Sequence, residues 1–358
     1  MEENNKVKGE QYICPECGSQ LIFNPIDSTI HCEYCGFKEE VVGDATNVEF
    51  DFDNYENNEE DWSKETIIYR CHQCDAENVV SINEICNVCP FCGSNQIIQS
   101  DEIPGIKPHR IVSFTIDKNK ADDAYRLKIK RNIFVPRVVK KMQIKLLTSG
   151  VYLPVWSFDA NSSSRYSGML GKTYTVTVGS GKNKRTVVKV RWFPISGTQE
   201  MFFDDLLVNS GCKISSSELL KLEPYDTNNA YQYDKKYLAG FTAEHYTLKL
   251  NSAWDHSQVR MKEHIKTKIL SKYIYDRIGY LNINTNYDGI KFKYVLIPVW
   301  IGVFNYNKKA YRFLVNGTNE KRIFAKLPLS PIKISLFVVG LIAILLLLVF
   351  LFIYFMGN

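Results

Sequence analysis

Four short cysteine pairs in the first quarter of the chain are the residues best equipped for chemistry: Cys14-Pro-Glu-Cys17, Cys32-Glu-Tyr-Cys35, Cys71-His-Gln-Cys74 and Cys89-Pro-Phe-Cys92. They form two sets of equal spacing, with fourteen residues between Cys17 and Cys32 and fourteen between Cys74 and Cys89. A tetrahedral ion needs four soft ligands, and two C-x-x-C turns closing a short hairpin supply them. The spacing therefore predicts two structural zinc ions, one on Cys14, Cys17, Cys32 and Cys35, the other on Cys71, Cys74, Cys89 and Cys92. Gly18, Gly36 and Gly93 follow the second cysteine of three knuckles and Asp75 follows that of the fourth. These are residue types that tolerate the positive φ such a turn requires. Four thiolates close the coordination sphere and leave no position for a reactive water, so the centres read as structural rather than catalytic.

Other uses of the cysteines fit less well. Ten cysteines without an N-terminal signal peptide argue against disulfides and an oxidising compartment. A redox C-x-x-C would stand alone beside a βαβ pattern. Cys86, three residues before Cys89, competes as a ligand, but the equal spacing favours Cys89 and Cys92. Cys212 reads as a small buried hydrophobe, and His31 and His72 as bystanders beside ligands.

Elsewhere the chemistry is sparse. Gly171-Lys172-Thr173 looks like the end of a phosphate-binding loop, yet Tyr166 occupies the first-glycine position and the following residues read as strand. The stretch from Glu223-Pro-Tyr-Asp226 to Tyr246 is polar and aromatic enough to line a site, but Glu244 and His245 alternate across a strand and make no acid–base pair. His256 and His264 lie two turns apart on one helix, too far to share a metal unaided. No nucleophile–base set stands out, and the chain does not read as an enzyme.

The elements that carry these residues divide by charge. Residues 1–105 hold 22 acidic against 5 basic side chains, a formal −17, while residues 106–358 hold 17 against 39, a formal +22. Ribbons this acidic are poorly built to grip nucleic acid, whose affinity comes mainly from Lys and Arg on phosphates. Between the ribbons, Glu39, Glu40, Asp44, Glu49, Asp51, Asp53, Glu56, Glu59, Glu60 and Asp61 mark an acidic linker. Its aromatic residues Phe50, Phe52, Tyr55 and Trp62 dock on a partner or on the basic region, or belong to a plain solvated linker. The basic half suits an anionic lipid surface, the acidic ribbons themselves, or nucleic acid.

From Ile334 to Met356 no charged residue occurs, long enough for a helix to cross a bilayer. Lys321, Arg322, Lys326 and Lys333 precede it and only Gly357 and Asn358 follow, which predicts a tail-anchored, single-pass chain in the cell membrane with its N-terminal domains cytosolic.

The middle of the chain reads as a duplication. One round has a strand at Ile111–Ile116, a helix near 118–131 capped by Asp117, the run Gly150–Phe158, and strands Thr173–Val178 and Thr186–Trp192 around a turn at Gly179–Lys184. The other has a strand at His245–Leu250 and a helix from about Ser252 to Tyr273, capped by Asn251 or Ser252, with Trp254, Val259, Ile265, Ile269 and Leu270 in helical period. Strands Lys293–Phe304 and Lys309–Val315 complete it. Pro154-Val155-Trp156 and Pro298-Val299-Trp300 recur at matching places, and their prolines predict strands that are edges or bulged there. The expected fold class is α+β: zinc ribbons at 1–38 and 67–105 joined by the linker 39–66, a duplicated strand–helix–strand domain with lobes 106–242 and 243–330, and a transmembrane helix in 331–358.

The order Cys14-Pro-Glu-Cys-Gly18, Cys89-Pro-Phe-Cys-Gly93, Gly150-Val-Tyr-Leu-Pro-Val-Trp156, Glu223-Pro-Tyr-Asp226, Tyr237-Leu-Ala-Gly-Phe241 and Ile297-Pro-Val-Trp300 before an apolar helix resembles a group of bacterial membrane proteins. These are labelled TFIIB-type zinc-ribbon-containing, or loosely replication-restart-helicase-like, after their ribbons rather than any activity. A helicase motor has no counterpart here: there is no phosphate-binding loop and no acidic helicase box. The reading that follows is a membrane-anchored cytosolic scaffold or adaptor recruiting a protein partner to the inner membrane face. The alternative is a membrane-tethered nucleic-acid binder using the basic 106–330 region.

Overall fold

The computed structural model describes residues 13–24, 26–41, 43–44, 48–55, 66–81, 88–94, 96–99, 106–141, 147–307 and 309–356. Cys86, Glu56, Glu59, Glu60, Asp61 and Trp62 lie outside the described residues. The fold is α+β. Its strands are β1 (Leu21–Asn24), β2 (Thr29–Cys32), β3 (Lys38–Glu40), β4 (Phe50–Asp51), β5 (Thr66–Cys71), β6 (Glu77–Ser81), β7 (Ile97–Gln99), β8 (Arg110–Ile111), β9 (Leu147–Val178), β10 (Arg185–Asn209), β11 (Tyr231–Gln232), β12 (Thr242–Glu244), β13 (Arg277–Tyr306), β14 (Lys309–Asn316) and β15 (Asn319–Ala325). The helices are α1 (Lys118–Arg131), α2 (Arg137–Lys141), α3 (Ser216–Leu222), α4 (Leu250–Leu270) and α5 (Pro331–Met356).

Local sequence explains α1 well. The Asp117 carboxylate accepts from the Lys120 amide at 2.8 Å, Ala121, Tyr125 and Ile129 form the buried stripe, and Lys128, Lys130 and Arg131 complement the dipole at the far end. For α4 the expected cap is not the one used. Helix begins at Leu250 behind Lys249, no side chain caps it, and the predicted cap residues Asn251 and Ser252 lie inside. Trp254, Ile265, Ile269 and Leu270 are buried as the period predicts, but Val259 is exposed, because Met261 and Ser257 occupy the inward face around it.

The centre of the molecule is the antiparallel ladder between β9 and β13, running from Arg277↔Gly171 to Val303↔Leu147. Five expected strands prove to be parts of longer ones: Gly150–Phe158 and Thr173–Val178 are both β9, Thr186–Trp192 belongs to β10, Lys293–Phe304 to β13, and Lys309–Val315 to β14. Of the other two, Ile111–Ile116 shrinks to the end of a two-residue strand, Arg110–Ile111, and His245–Leu250 is not a strand: β12 stops at Glu244 just ahead of it and Leu250 opens α4. Strands contributed from 106–242 and 243–330 thus share one twelve-stranded sheet.

Within that sheet the two Pro-Val-Trp segments lie around the opposed pair Leu153↔Ile297 and make the same bonds. The Ser210 amide donates to the Pro154 carbonyl, and the Gly317 amide to the Pro298 carbonyl. The Ser210 carbonyl accepts from Thr247 and Leu248, the Gly317 carbonyl from Thr115 and Ile116. Trp156 Nε1 donates to the Leu248 carbonyl at 2.8 Å, and Trp300 Nε1 to that of Ile116 at 3.0 Å. Each indole thus holds the residue just ahead of the other round's helix. Both prolines turn the side that lacks a donor toward the place where the flanking strand has just ended, Asn209 in β10 and Asn316 in β14.

Beyond Phe158 and Phe292 the sheet continues as an arm of β10, β9 and β13, and past Gly171 as β9 and β10 alone. One face of its base is buried at Ser162, Ser164, Tyr166 and Leu170, under α4, while Asn161, Ser163, Arg165 and Ser167 face water. At the other end of β13, strands β14 and β15 lead to α5. Ala325 lies opposite Phe313 and so level with Gly302 and Thr148, placing the approach to α5 and the arm tip at Val178 at opposite ends, roughly 100 Å apart along β9 by strand rise. Residues Pro331–Tyr354 of α5 are long and apolar enough to cross a membrane, and none of that segment is buried against the body.

Candidate metal centres

The sulfurs of Cys14, Cys17, Cys32 and Cys35 lie within 4.8 Å of one another, and so do those of Cys71, Cys74, Cys89 and Cys92. Each knuckle is closed by its own backbone. Gly18, Gly36, Asp75 and Gly93 donate their amides to the carbonyls of Cys14, Cys32, Cys71 and Cys89, at φ values of 74°, 81°, 54° and 75°. The positive φ sought at these four positions is present at each, including the one without glycine. The amides of Cys14, Cys32, Cys71 and Cys89 in turn donate to Ser19, Phe37, Ala76 and Ser94. Every turn thus fixes two sulfurs on the same side of a rigid loop.

The distances test which ion fits. Sulfurs at the corners of a zinc tetrahedron stand about 3.8 Å apart, from Zn–S bonds of about 2.3 Å. The second centre has Cys71–Cys92 and Cys74–Cys89 at 3.7 Å, and the first has Cys14–Cys35 at 3.2 Å and Cys17–Cys32 at 3.4 Å. Both are all-sulfur sets, the chemistry that selects zinc over hard divalent cations. In the first, the Ser19 hydroxyl and amide donate to Cys17 and pull its thiol down to about 6. In the second, burial pushes the Cys74 thiol up to about 11 and the Cys89 thiol higher still. A cation that replaces the protons is what makes four such groups compatible. His31 and His72 contribute no atom to either group.

The centres sit differently in the fold. Strands β1, β2 and β3 form a separate three-stranded sheet around the first. It meets the body through buried Phe23, edge-on to Tyr237 at 5.1 Å, with its amide on the Ala239 carbonyl. Strands β5, β6 and β7 of the second centre extend the main sheet, β6 pairing β12 at Ala243↔Val79. Lys213 Nζ also donates to the Cys74 carbonyl at 2.6 Å.

The acidic stretch between them is strapped down in part. Asp51 and Phe50 pair with Lys291 and Phe292 as β4. Phe50 lies 4.3 Å from the His109 ring, Phe52 5.6 Å from Trp254, and Tyr55 4.9 Å from Phe292. Of the alternatives open for these aromatics, docking on the basic region is the one seen. Glu49 joins a buried cluster the sequence did not reveal, in which Lys293 Nζ stands 2.7 Å from Asp205 and 3.7 Å from Glu49. Burial pushes the Asp159 carboxyl up to about 7 there, against the Asp205 amide that donates to it. A lysine inside an otherwise apolar strand was the available signal.

The other residues singled out do not form a site. Glu244 is buried and accepts from the amides of Cys212 at 2.6 Å and Lys213 at 2.9 Å, and burial raises its carboxyl to about 7. His245 faces Glu77 instead, at 4.0 Å. Cys212 corrects the expectation of burial: it is exposed, because the turn that carries it wraps outside the Glu244 carboxylate. Its thiol is nonetheless raised, by partial burial and by Glu244, and is no activated nucleophile. His256 and His264 are both exposed, the latter edge-on to Phe203.

Fold and centres together define an α+β protein with two four-cysteine groups placed for metal and one apolar C-terminal helix. The chain is 26% identical over 346 residues to the "Uncharacterized protein YdjG" of Bacillus subtilis (strain 168), an alignment covering 92% of this chain and 93% of that one. No family model and no solved structure matches.

Proposed function

We propose that this protein is a single-pass membrane scaffold whose cytosolic body carries two structural zinc ribbons and recruits a protein partner to the membrane face. The two four-sulfur centres, set on a body with one unburied apolar helix, are the observation that carries this reading. Zinc supplies the folding energy that so short a hairpin cannot draw from its small core. The mirrored bonds around Trp156 and Trp300 support a duplicated body.

The recruiting surface in this reading is the rim of the first centre. Tyr34 is 84% exposed and Ile26 65%, with Glu16 and Glu33 exposed beside them. Deleting residues 1–105 would strip β4–β7 from the main sheet, so surface substitution is the cleaner test. Full-length protein and a Tyr34→Ala/Ile26→Ala variant are captured from native membranes. Loss of a co-purifying protein from the variant supports recruitment through this rim, and an unchanged partner set refutes it.

One observation favours nucleic acid as a second reading. No acidic residue occurs between Asp159 and Glu200, and pairing places Lys172, Tyr174, Arg185, Lys189 and Arg191 on one face of the outer β9–β10 ribbon. Arg191 stacks over Tyr174 at 5.6 Å. Binding of full-length protein to single- and double-stranded DNA and to RNA across salt concentrations decides this reading. A steep log–log salt slope lowered by Lys189→Gln/Arg191→Gln supports it.

A further inference from the structure

At the end of the body opposite the arm, a groove of about 880 Å³ runs between the outer face of α1 and the edge strand β15. Its cations are Lys120, Arg131 and Lys321, all exposed, and its apolar lining includes Leu127, Ile323 and Leu327. Asp123 and Glu320 also border it. Lys128, on the same face, is turned inward, its Nζ donating to the Ile323 carbonyl at 2.7 Å and tying helix to strand.

The groove opens beside the root of α5. Leu327 lies four residues before Pro331, where the helix begins. The loop after α1 is fastened to that root: the Ser330 amide donates to the Phe134 carbonyl, and Lys333 Nζ to those of Ile133 and Val135 at 3.1 and 2.6 Å. Phe134 packs edge-on to Phe337 at 5.3 Å. If α5 crosses the bilayer, this loop and the last turn of α1 lie at headgroup level. The side chains displayed there suit that depth, since Ile133 and Val138 are 60% and 61% exposed among exposed Arg131, Arg137 and Lys141. Aliphatic groups beside lysine and arginine are the composition of a surface seated at a membrane interface.

We propose that the α1–β15 groove is a binding site for an anionic phospholipid of the adjoining leaflet. The acidic headgroup meets Arg131 and Lys321, and the first methylenes run along Leu127, Ile323 and Leu327. This rests on the membrane-anchored reading of α5 for its location, and on the groove's own chemistry for its ligand. The apolar lining sets it apart from a free-phosphate site, and Asp123 and Glu320 at its border oppose an extended polyanion. A bound lipid would fix the body's tilt over the bilayer, since the groove and α5 would grip the same leaflet at two points.

The test uses purified full-length protein in neutral detergent, titrated with dioctanoyl phosphatidylglycerol, dioctanoyl phosphatidylcholine and glycerol 3-phosphate, with bound lipid counted by native mass spectrometry. Phosphatidylglycerol is expected to bind at least tenfold more tightly than either of the others. Arg131→Gln/Lys321→Gln is expected to lose that preference, with Lys189→Gln/Arg191→Gln on the remote arm unchanged; Lys120→Gln is a milder second variant. Equal binding of phosphatidylcholine overturns the proposal, as does glycerol phosphate binding as tightly as the lipid, or an Arg131→Gln/Lys321→Gln variant that binds like the parent. Alkaline carbonate extraction of native membranes checks the anchor separately. Release of the chain refutes the anchored reading while the titration still reports on the groove, and retention with a negative titration refutes the groove alone.

Discussion

Around Cys14 and its three partners the chain builds a sheet of its own, β1 to β3, whereas around Cys71 it lends its strands to the body. Cys14 and Cys32 at the first centre and Cys71 and Cys89 at the second are all buried, but the outer pair is exposed at the first, Cys17 and Cys35, and only half-exposed at the second, Cys74 and Cys92. Identical spacing therefore supports two mechanical roles. Metal at the second centre would hold one end of the main sheet together. Metal at the first would hold a small sheet of its own, whose Leu21, Phe23 and Ile30 join a buried cluster with Tyr237, Leu238 and Phe241 of the body. Two cysteine sets of equal spacing teach that ligand spacing sets a metal site and the surrounding strand pairing sets what its loss would destroy.

The largest expected effect is on the second centre. Cys71→Ser/Cys89→Ser should remove on the order of 10 kcal/mol of metal-linked stability and abolish cooperative unfolding of the body. Thermal unfolding in detergent, with zinc content, checks this. Cys14→Ser/Cys32→Ser should lose one zinc yet leave the body transition within a few degrees of the parent. Equal collapse of both variants would break the distinction.

Phe23→Ala sharpens it next. Removing this buried ring should cost about 3 kcal/mol and free the first head, read as faster proteolysis within residues 13–41 at unchanged zinc content.

Glu244, beside the second centre, gives a pH signature. Its folded carboxyl titrates near 7, above its ordinary 4.5, so the folded state holds the proton more tightly and this contribution is lost as pH rises from about 4.5 to about 7. Glu244→Gln should lessen that decline by up to about 3 kcal/mol, measured as the difference from the parent in denaturant titrations. Asp159, also near 7, leaves a residual slope of the same sign. A difference that does not change with pH would show that folding leaves the Glu244 carboxyl unshifted.

The smallest effect concerns Lys213. Lys213→Met removes the donor to the Cys74 carbonyl and should cost about 1 kcal/mol, seen as faster zinc transfer from the second centre to a chromogenic chelator and not from the first.

How much of this was legible varies with the range of the forces involved. The knuckles, α1 with its Asp117 cap, and the recurring Pro-Val-Trp were all visible, because each is specified within a few residues. The buried cluster of Lys293, Asp205, Glu49 and Asp159 was not, since its members come from β13, a bulge in β10, the strap ahead of β4, and β9. The strap itself was legible only as one of several alternatives, because acidity suggests solvent while Phe50, Phe52 and Tyr55 find a ready pocket around Phe292 and Trp254.

The sequence by itself determined the two four-cysteine groups, their positive-φ turns and the apolar C-terminal helix, since spacing, side-chain type and length suffice for each. It took the tertiary structure to give one centre a sheet of its own and make the other extend the main sheet, to bond each tryptophan ahead of the other round's helix, and to set the arm and the apolar helix at opposite ends. Those features depend on strands such as β9 and β13 finding each other across more than a hundred residues, and a ladder's register is settled by burial on both its faces, which no local pattern encodes.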